Sequence, residues 1–220
     1  MTDSVAGVLM AGGQSRRMGG GDKCLRALAG KPILAHVIDR IRPQVGPLVL
    51  NANGDPARFA SFGLPVVADA VGDFAGPLAG VLTGLEWAAA QAPPGDTPGD
   101  PESDSPGAWL ASFATDAPFL PADLVARLLA AVVAEGADLA CAASNGRDHP
   151  VFGLWPLRLR HELRQAMVAE GIRKVDAWTA RFKLVRVEFP LVETRAGPRD
   201  PFFNANRPED LAEAERLAAM

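Results

Sequence analysis

The sequence predicts an α/β fold: three layers, α/β/α, built on a mostly parallel sheet. Three observations carry this. Short apolar, β-rich runs alternate with stretches of helical pattern, which predicts a sheet covered on both faces. The first of these runs ends in a glycine pair, as a strand does before a loop that brings bare backbone N–H groups to a ligand. The length, 220 residues, suits one α/β unit with a substantial core, so residues 1–220 read as a single domain.

The elements follow in order. The apolar run at 5–11 (VAGVLMA) is the first strand. A helix over 32–41 opens at Pro32, and proline suits the first turn of a helix. The runs at 48–52 (LVLNA) and 65–68 (PVVA) are short strands, and a second proline-led helix spans 77–91. Next come a strand at 109–114 (WLASFA) and a helix over 121–135 that Pro121-Ala122-Asp123 supplies with its own start. Strands at 137–142 and 151–155 are followed by helices over 157–170 and 172–180. A strand at 184–189 and a helix over 208–219, again opened by proline, complete the set. Residues 92–107 break the alternation. Rich in Pro, Gly and acids, they cannot bury apolar area and read as a flexible surface loop.

The formal net charge is −4, so no broad basic surface advertises nucleic acid or membrane, and any anion site must be local. Cys24 and Cys141 are the only cysteines, with no CxxC and no clustered Cys/His. This argues against a zinc site or a disulfide scaffold and fits a reducing cytoplasm. No basic-then-apolar leader is present at the N-terminus, and no apolar run is long enough to span a bilayer.

The densest signal is Gly12-Gly13-Gln14-Ser15-Arg16-Arg17-Met18-Gly19-Gly20-Gly21-Asp22-Lys23. Glycines beside arginine and lysine make a site for polyphosphate. The ATPase phosphate loop is excluded, because the only Gly-Lys pair, Gly30-Lys31, is followed by Pro32. The dinucleotide fingerprint G-x-G-x-x-G is absent from this stretch. Lys23 and Arg17 could neutralise phosphate and the leaving pyrophosphate; Arg16 ranks below them.

Further signals fall at strand ends and the adjoining turns. Asn51 and Asn53 flank Ala52, and each amide offers a donor and an acceptor to a base or ribose edge, or forms a turn. Asp69 could accept from guanine N1–H and the 2-amino group as a fork, or help form the turn before Gly72. In Gly76-Pro77-Leu78-Ala79-Gly80, glycine allows close backbone approach at a helix start. Asp116, in Thr115-Asp116-Ala117-Pro118, is placed to hold Mg²⁺ that also binds triphosphate oxygens, or to cap a helix. Arg147 and His149 precede a strand, where they could meet an acceptor substrate; a core role for the histidine stands equally open. Asn204 and Asn206 precede a proline-led helix and could orient acceptor or metal, or cap that helix.

The pattern L-x-A-G-G-x-S-x-R-M-G-x-x-D-K, with one extra glycine in its second cluster, resembles the signature of nucleotidyltransferases of the Rossmann-like, glycosyltransferase-A-like fold. Together with Asn51-Ala52-Asn53, Asp69, Gly76 to Gly80, Thr115 to Pro118, Arg147-Asp148-His149-Pro150 and Asn204 to Asp210, it looks like the molybdenum cofactor guanylyltransferase (MobA) family over nearly the whole chain. The resemblance implies transfer of GMP from GTP to the terminal phosphate of molybdenum-molybdopterin, with release of pyrophosphate. Family GTP contacts carried onto this chain fall on Met10, Ala11, Gly12, Lys23, Asn51, Asp69 and Asp116, and the loop itself adds Gly13. Asp116 is by the same resemblance the Mg²⁺ ligand. The expected catalytic residues are Lys23, Asp116 and Arg17, and Arg147, His149, Asn204 and Asn206 are the candidates for holding the acceptor.

The implied partners are GTP and molybdenum-molybdopterin, with transient contact to molybdenum-insertion proteins and recipient molybdoenzymes. Three other readings are open. One is a molybdopterin cytidylyltransferase, and another a sugar- or polyol-phosphate nucleotidyltransferase. The third is a non-catalytic protein that holds GTP or cofactor and delivers it.

Overall fold

The computed structural model describes residues 5–11, 22–72, 76–91, 108–193, 197–204, 210, 214 and 215. A seven-stranded sheet forms its centre, in the spatial order β5-β4-β1-β6-β8-β7-β9, where β1 is Val5–Met10, β4 Leu48–Asn51, β5 Val66–Val67, β6 Trp109–Ala114, β7 Leu139–Ser144, β8 Arg147–Pro156 and β9 Leu184–Glu188. The strands β5, β4, β1 and β6 are mutually parallel, as are β7 and β9. All seven expected strands are present, and the sheet is mostly parallel.

β8 is the exception, running antiparallel to both β6 and β7. The cause is local. Asn145 and Gly146 sit at φ 50° and 72°, the pair of left-handed residues of a type I′ hairpin turn. A two-residue turn returns the chain at once, so β8 starts at Arg147, four residues before the expected 151. Arg147 and His149 therefore lie in the strand and not ahead of it. A small hairpin, β2 (Ala27–Leu28) with β3 (Lys31–Pro32), was not expected from the sequence.

Side-chain alternation along β1 sends Val5 and Leu9 to one face and Ala6, Val8 and Met10 to the other. On the first face pack α1 (Ile33–Ile41) and α3 (Leu124–Glu135). α1 buries Ile33, Leu34, Val37, Ile38 and Ile41, the stripe that its 3.6-residue period dictates. On the second face lies α2 (Pro77–Ala90), buried continuously from Leu78 to Leu85 because α4 (Arg160–Val168) covers its outer side. Trp178, from α5 (Val175–Thr179), lies 5.9 Å from Trp155 of β8 and closes this half of the core. Burial of each large aliphatic side chain contributes roughly 1.5–3 kcal/mol.

Several helix boundaries differ from expectation. The stretch 157–170 divides into a 3-10 turn, Leu157–Leu159, and α4. α5 is shorter than the expected 172–180. α3 begins at Leu124, and Asp123 makes no side-chain cap. Gln44 replaces it: its Oε1 accepts from the Val125 amide at 3.1 Å, and its Nε2 donates to the carbonyls of Arg40 and Pro121 at 2.8 and 2.9 Å. The expected loop 92–107 and most of the expected helix 208–219 lie outside the described residues. Among the described residues, no helix is long and apolar enough to cross a membrane.

Candidate active site

The sheet register brings two of the expected residues, Met10 and Asn51, side by side. Met10, the last residue of β1, pairs with Asn51 of β4 on one side and Ala114 of β6 on the other, and Asn51 pairs with Val67 of β5. One row of residues thus forms the carboxyl edge of four parallel strands, the place where ligands of open α/β sheets bind. Backbone bonds continue past the edge: the Ala11 amide donates to Asn51 O and the Ala52 amide to Val67 O, both at 2.9 Å. Thr115 Oγ1 donates to Met10 O at 3.2 Å, which ties the turn after β6 to the end of β1.

Beyond β4 and β5, three side chains form a bracket. Asn51 Nδ2 donates to Asp69 Oδ1 at 2.9 Å, and Asn53 Nδ2 donates to Asp69 Oδ2 at 2.8 Å. Asn53 Oδ1 accepts in return from the Asp69 amide at 2.9 Å. The carboxylate is fixed in one plane, and each oxygen keeps a second lone pair for a ligand donor. Asn51 is buried, so its amide cannot swing to water. The bracket needs room from α2, where a Cβ at Gly80 would lie 2.6 Å from Met10 Sδ and 2.9 Å from Asn51 Oδ1. Gly76, at φ 146°, occupies backbone space open only to glycine just before Pro77. Of the G-P-L-A-G run, Gly80 is thus a packing requirement of the bracket and Gly76 of the helix start.

Beyond β6, Asp116 is held in a largely desolvated position. Burial pushes its carboxyl above the usual value, and the positive charge of Lys23 pulls it back. Lys23 opens a 3-10 turn, Lys23–Leu25, directly after Asp22. A desolvated carboxylate facing one lysine fits an incoming cation. No group of three His, Cys, Asp or Glu able to hold a metal occurs among the described residues. Cys24 lies near Thr115, Asp22 and Asp116, but burial raises its thiol to about 11, so it is an inert core group.

Because β8 is antiparallel, its first residues reach the same edge of the sheet. Arg147 is exposed there. His149 is committed to the protein: Ser144 Oγ donates to Asp200 Oδ1 at 2.8 Å, so the 2.6 Å contact is His149 Nε2–H donating to Ser144 Oγ. The Phe202 ring lies 4.6 Å from the imidazole. Asn204, two residues on, keeps its side-chain Oδ1 buried without a hydrogen-bond partner among the described residues. Gly12, Gly13, Arg16, Arg17 and Asn206 lie outside the described residues.

Three members of this region escaped sequence reading. Asp200 and Ser144 are remote in sequence from His149's motif, and Arg58, described below, lies in an unremarkable turn. Asp22 stands in the sequence as the residue before Lys23 in the loop motif.

A three-layer α/β/α sheet with a bracketed carboxylate at one strand end, and a desolvated aspartate facing a lysine at another, describes a nucleotidyltransferase. The comparisons with known proteins agree. Residues 7–184 match the family model of the MobA-like NTP transferase domain, and the chain belongs to that family. It is 59% identical over 220 residues to a molybdenum cofactor guanylyltransferase of Bradyrhizobium sp. (strain ORS 278), covering 100% of this chain and 95% of that one. It is 56% identical over 211 residues to one of Rhodopseudomonas palustris (strain BisB5), covering 96% and 92%. Among solved structures it is similar in fold to molybdopterin-guanine dinucleotide biosynthesis protein A of Archaeoglobus fulgidus, with a TM-score of 0.68, 22% identity and 98% coverage of both chains. A Mycobacterium tuberculosis protein solved in complex with manganese shares the fold at a TM-score of 0.61 and 16% identity, covering 98% of this chain and 99% of that one.

Proposed function

We propose that this chain transfers GMP from GTP to the terminal phosphate of molybdenum-molybdopterin, giving the guanine dinucleotide cofactor and pyrophosphate, and that it acts as one nucleotidyltransferase domain. The observation that carries this reading is the identity of 59% over the whole chain to a protein of that name. The bracketed Asp69 supports it, since a planar carboxylate with free lone pairs matches the adjacent N1–H and 2-amino donors of guanine.

The acceptor phosphate is already an anion at neutral pH, so no strong general base is needed. The task is to bring two polyanions together and to stabilise the crowded phosphoryl centre. Lys23 faces the triphosphate, and Arg17 would add a second cation. Met10, Ala11, Gly12 and Gly13 bring backbone to the nucleotide, and Asn51 and Asp69 orient its base. Asp116 would hold a divalent ion, Mg²⁺ in our reading; when bound, such an ion neutralises triphosphate oxygens. Arg147, Asn204 and Asn206 face the acceptor, while His149 acts from behind by anchoring the segment that carries Asn204.

We assign the protein to the cytoplasm, in keeping with two buried free cysteines. Handover of its product implies brief contact with molybdenum-insertion proteins and recipient molybdoenzymes. The test is pyrophosphate release with Mg²⁺ and molybdenum-loaded molybdopterin, offering GTP, CTP and ATP in turn. Release with GTP alone is expected. Release with CTP instead overturns the base assignment, and release with none of them overturns the reaction.

A further inference from the structure

We propose that Arg58 is a positioning residue that holds the guanine bracket and the Lys23 turn at one fixed spacing, so that base fit and phosphate grip are a single event. Arg58 lies in a 3-10 segment, Pro56–Phe62, started by Asp55, whose Oδ1 accepts from the Ala57 amide at 2.9 Å. Its guanidinium makes contacts in three directions. Nη2 donates to Asn53 O at 2.5 Å, and Nη1 donates to Asp55 O at 2.9 Å. Nε lies 2.5 Å from Asp22 Oδ2, a charge contact without ideal hydrogen-bond alignment. The cation also sits 4.7 Å from the centroid of the buried Phe59 ring.

Each end of this link is one residue or one bond from the site. Asp22 immediately precedes Lys23, and its carbonyl accepts from the Leu25 amide at 3.1 Å, so moving Asp22 moves the lysine turn. Asn53 holds Asp69 by two bonds, so moving the Asn53 carbonyl tilts the carboxylate. Gly54, at φ 84°, turns the chain, and a Cβ there would lie 3.0 Å from Arg58 Nη1. A planar guanidinium spans these partners at once; an ammonium on a flexible stem does not. The inference rests on the proposed roles of Asp69 and Lys23 in GTP binding.

The test is direct titration of GTP and ATP with Mg²⁺ against wild type, Arg58→Gln, Arg58→Lys, Asp22→Asn and Asp69→Asn, with steady-state KM values for both substrates and melting temperatures. We expect Arg58→Gln to weaken GTP binding about tenfold and narrow the GTP-to-ATP preference, with the acceptor KM unchanged. Arg58→Lys should fail to restore either. Asp22→Asn should weaken both nucleotides, and adding it to Arg58→Gln should cost less than the sum of the two. A melting temperature lowered by Arg58→Gln, with wild-type binding and preference, makes Arg58 a stability clamp and overturns the proposal. Should Arg58→Gln not fold, Arg58→Lys and Asp22→Asn are read by the same criteria. If Asp69→Asn leaves the preference intact, the guanine reading falls and takes this inference with it. If Asp69→Asn narrows the preference but the Arg58 variants do not, only the inference falls.

Discussion

Asp69 and Asn53 hold each other twice: Asn53 Nδ2 donates to Asp69 Oδ2 at 2.8 Å, and the Asp69 amide donates to Asn53 Oδ1 at 2.9 Å. With Asn51 on the other oxygen, the carboxylate is presented to a ligand before any ligand arrives. Preorganisation of this kind lowers the ordering cost of binding.

Asp69→Asn should reduce the preference for GTP over ATP by about tenfold to a hundredfold, the loss of a bidentate acceptor. The effect has two parts, because an Asn NH₂ would also oppose an amide donor of Asn51 or Asn53. Competition kinetics with the two nucleotides measure it. Unchanged selectivity removes Asp69 from base recognition.

Asp116→Ala should lower turnover by about 10²-fold or more, the scale of one electrostatic contact at a reacting centre. It should not lower the melting temperature, because burial already makes the Asp116 charge unfavourable. Wild-type turnover in this variant would sink the metal assignment.

Gly80→Ala and Gly84→Ala sit one turn apart on α2 and should separate function from packing. The first directs a methyl at Met10 Sδ and Asn51 Oδ1, the second at Leu110 Cδ2 and Val8 Cβ, both 2.8 Å away. Gly80→Ala is expected to raise the KM for GTP about tenfold, since small misplacements of a binding group are costly. Gly84→Ala is expected to lower stability by about 1–3 kcal/mol through overpacking, with KM unchanged. Equal KM values for the two variants would rule out steric control of Asn51 from α2.

His149 should make stability fall in mild acid. Burial lowers its pKa from the ordinary 6.5, outweighing the pull of Asp200; Arg147 lowers it further, while Asp148 and Glu188 oppose. The folded state therefore resists a proton that the unfolded chain accepts. Stability is full above about pH 6.5 and declines as pH falls through that value towards the lower folded pKa. Melting temperatures from about pH 7.5 to about pH 5.5 should drop further for wild type than for His149→Gln. Parallel curves would show that the imidazole is not the group responsible.

Part of the candidate site was legible because its parts are local. Asn51-Ala52-Asn53 follows one strand and Asp116 another: each is a run of apolar residues followed by a polar group, and strand ends place such groups on one edge. Arg58, Ser144 and Asp200 were not legible, because their importance is a distance to a partner far along the chain. Asp200 is 56 residues from Ser144, and no spacing rule connects them. The helix start at Leu124 was misjudged for the same reason, since its polar partner is Gln44 across the fold.

The sequence by itself determined the alternation of strands and helices, the seven strands and the family motifs, because periodicity and motif spacing are properties of neighbouring residues. Only the tertiary structure decided that Asp69 is bracketed from both sides, that Arg58 links the Asn53 turn to Asp22, and that His149 anchors the chain ahead of Asn204. Those relations depend on register between strands, and on burial, which changes the energy of a charge or an amide according to what folds over it.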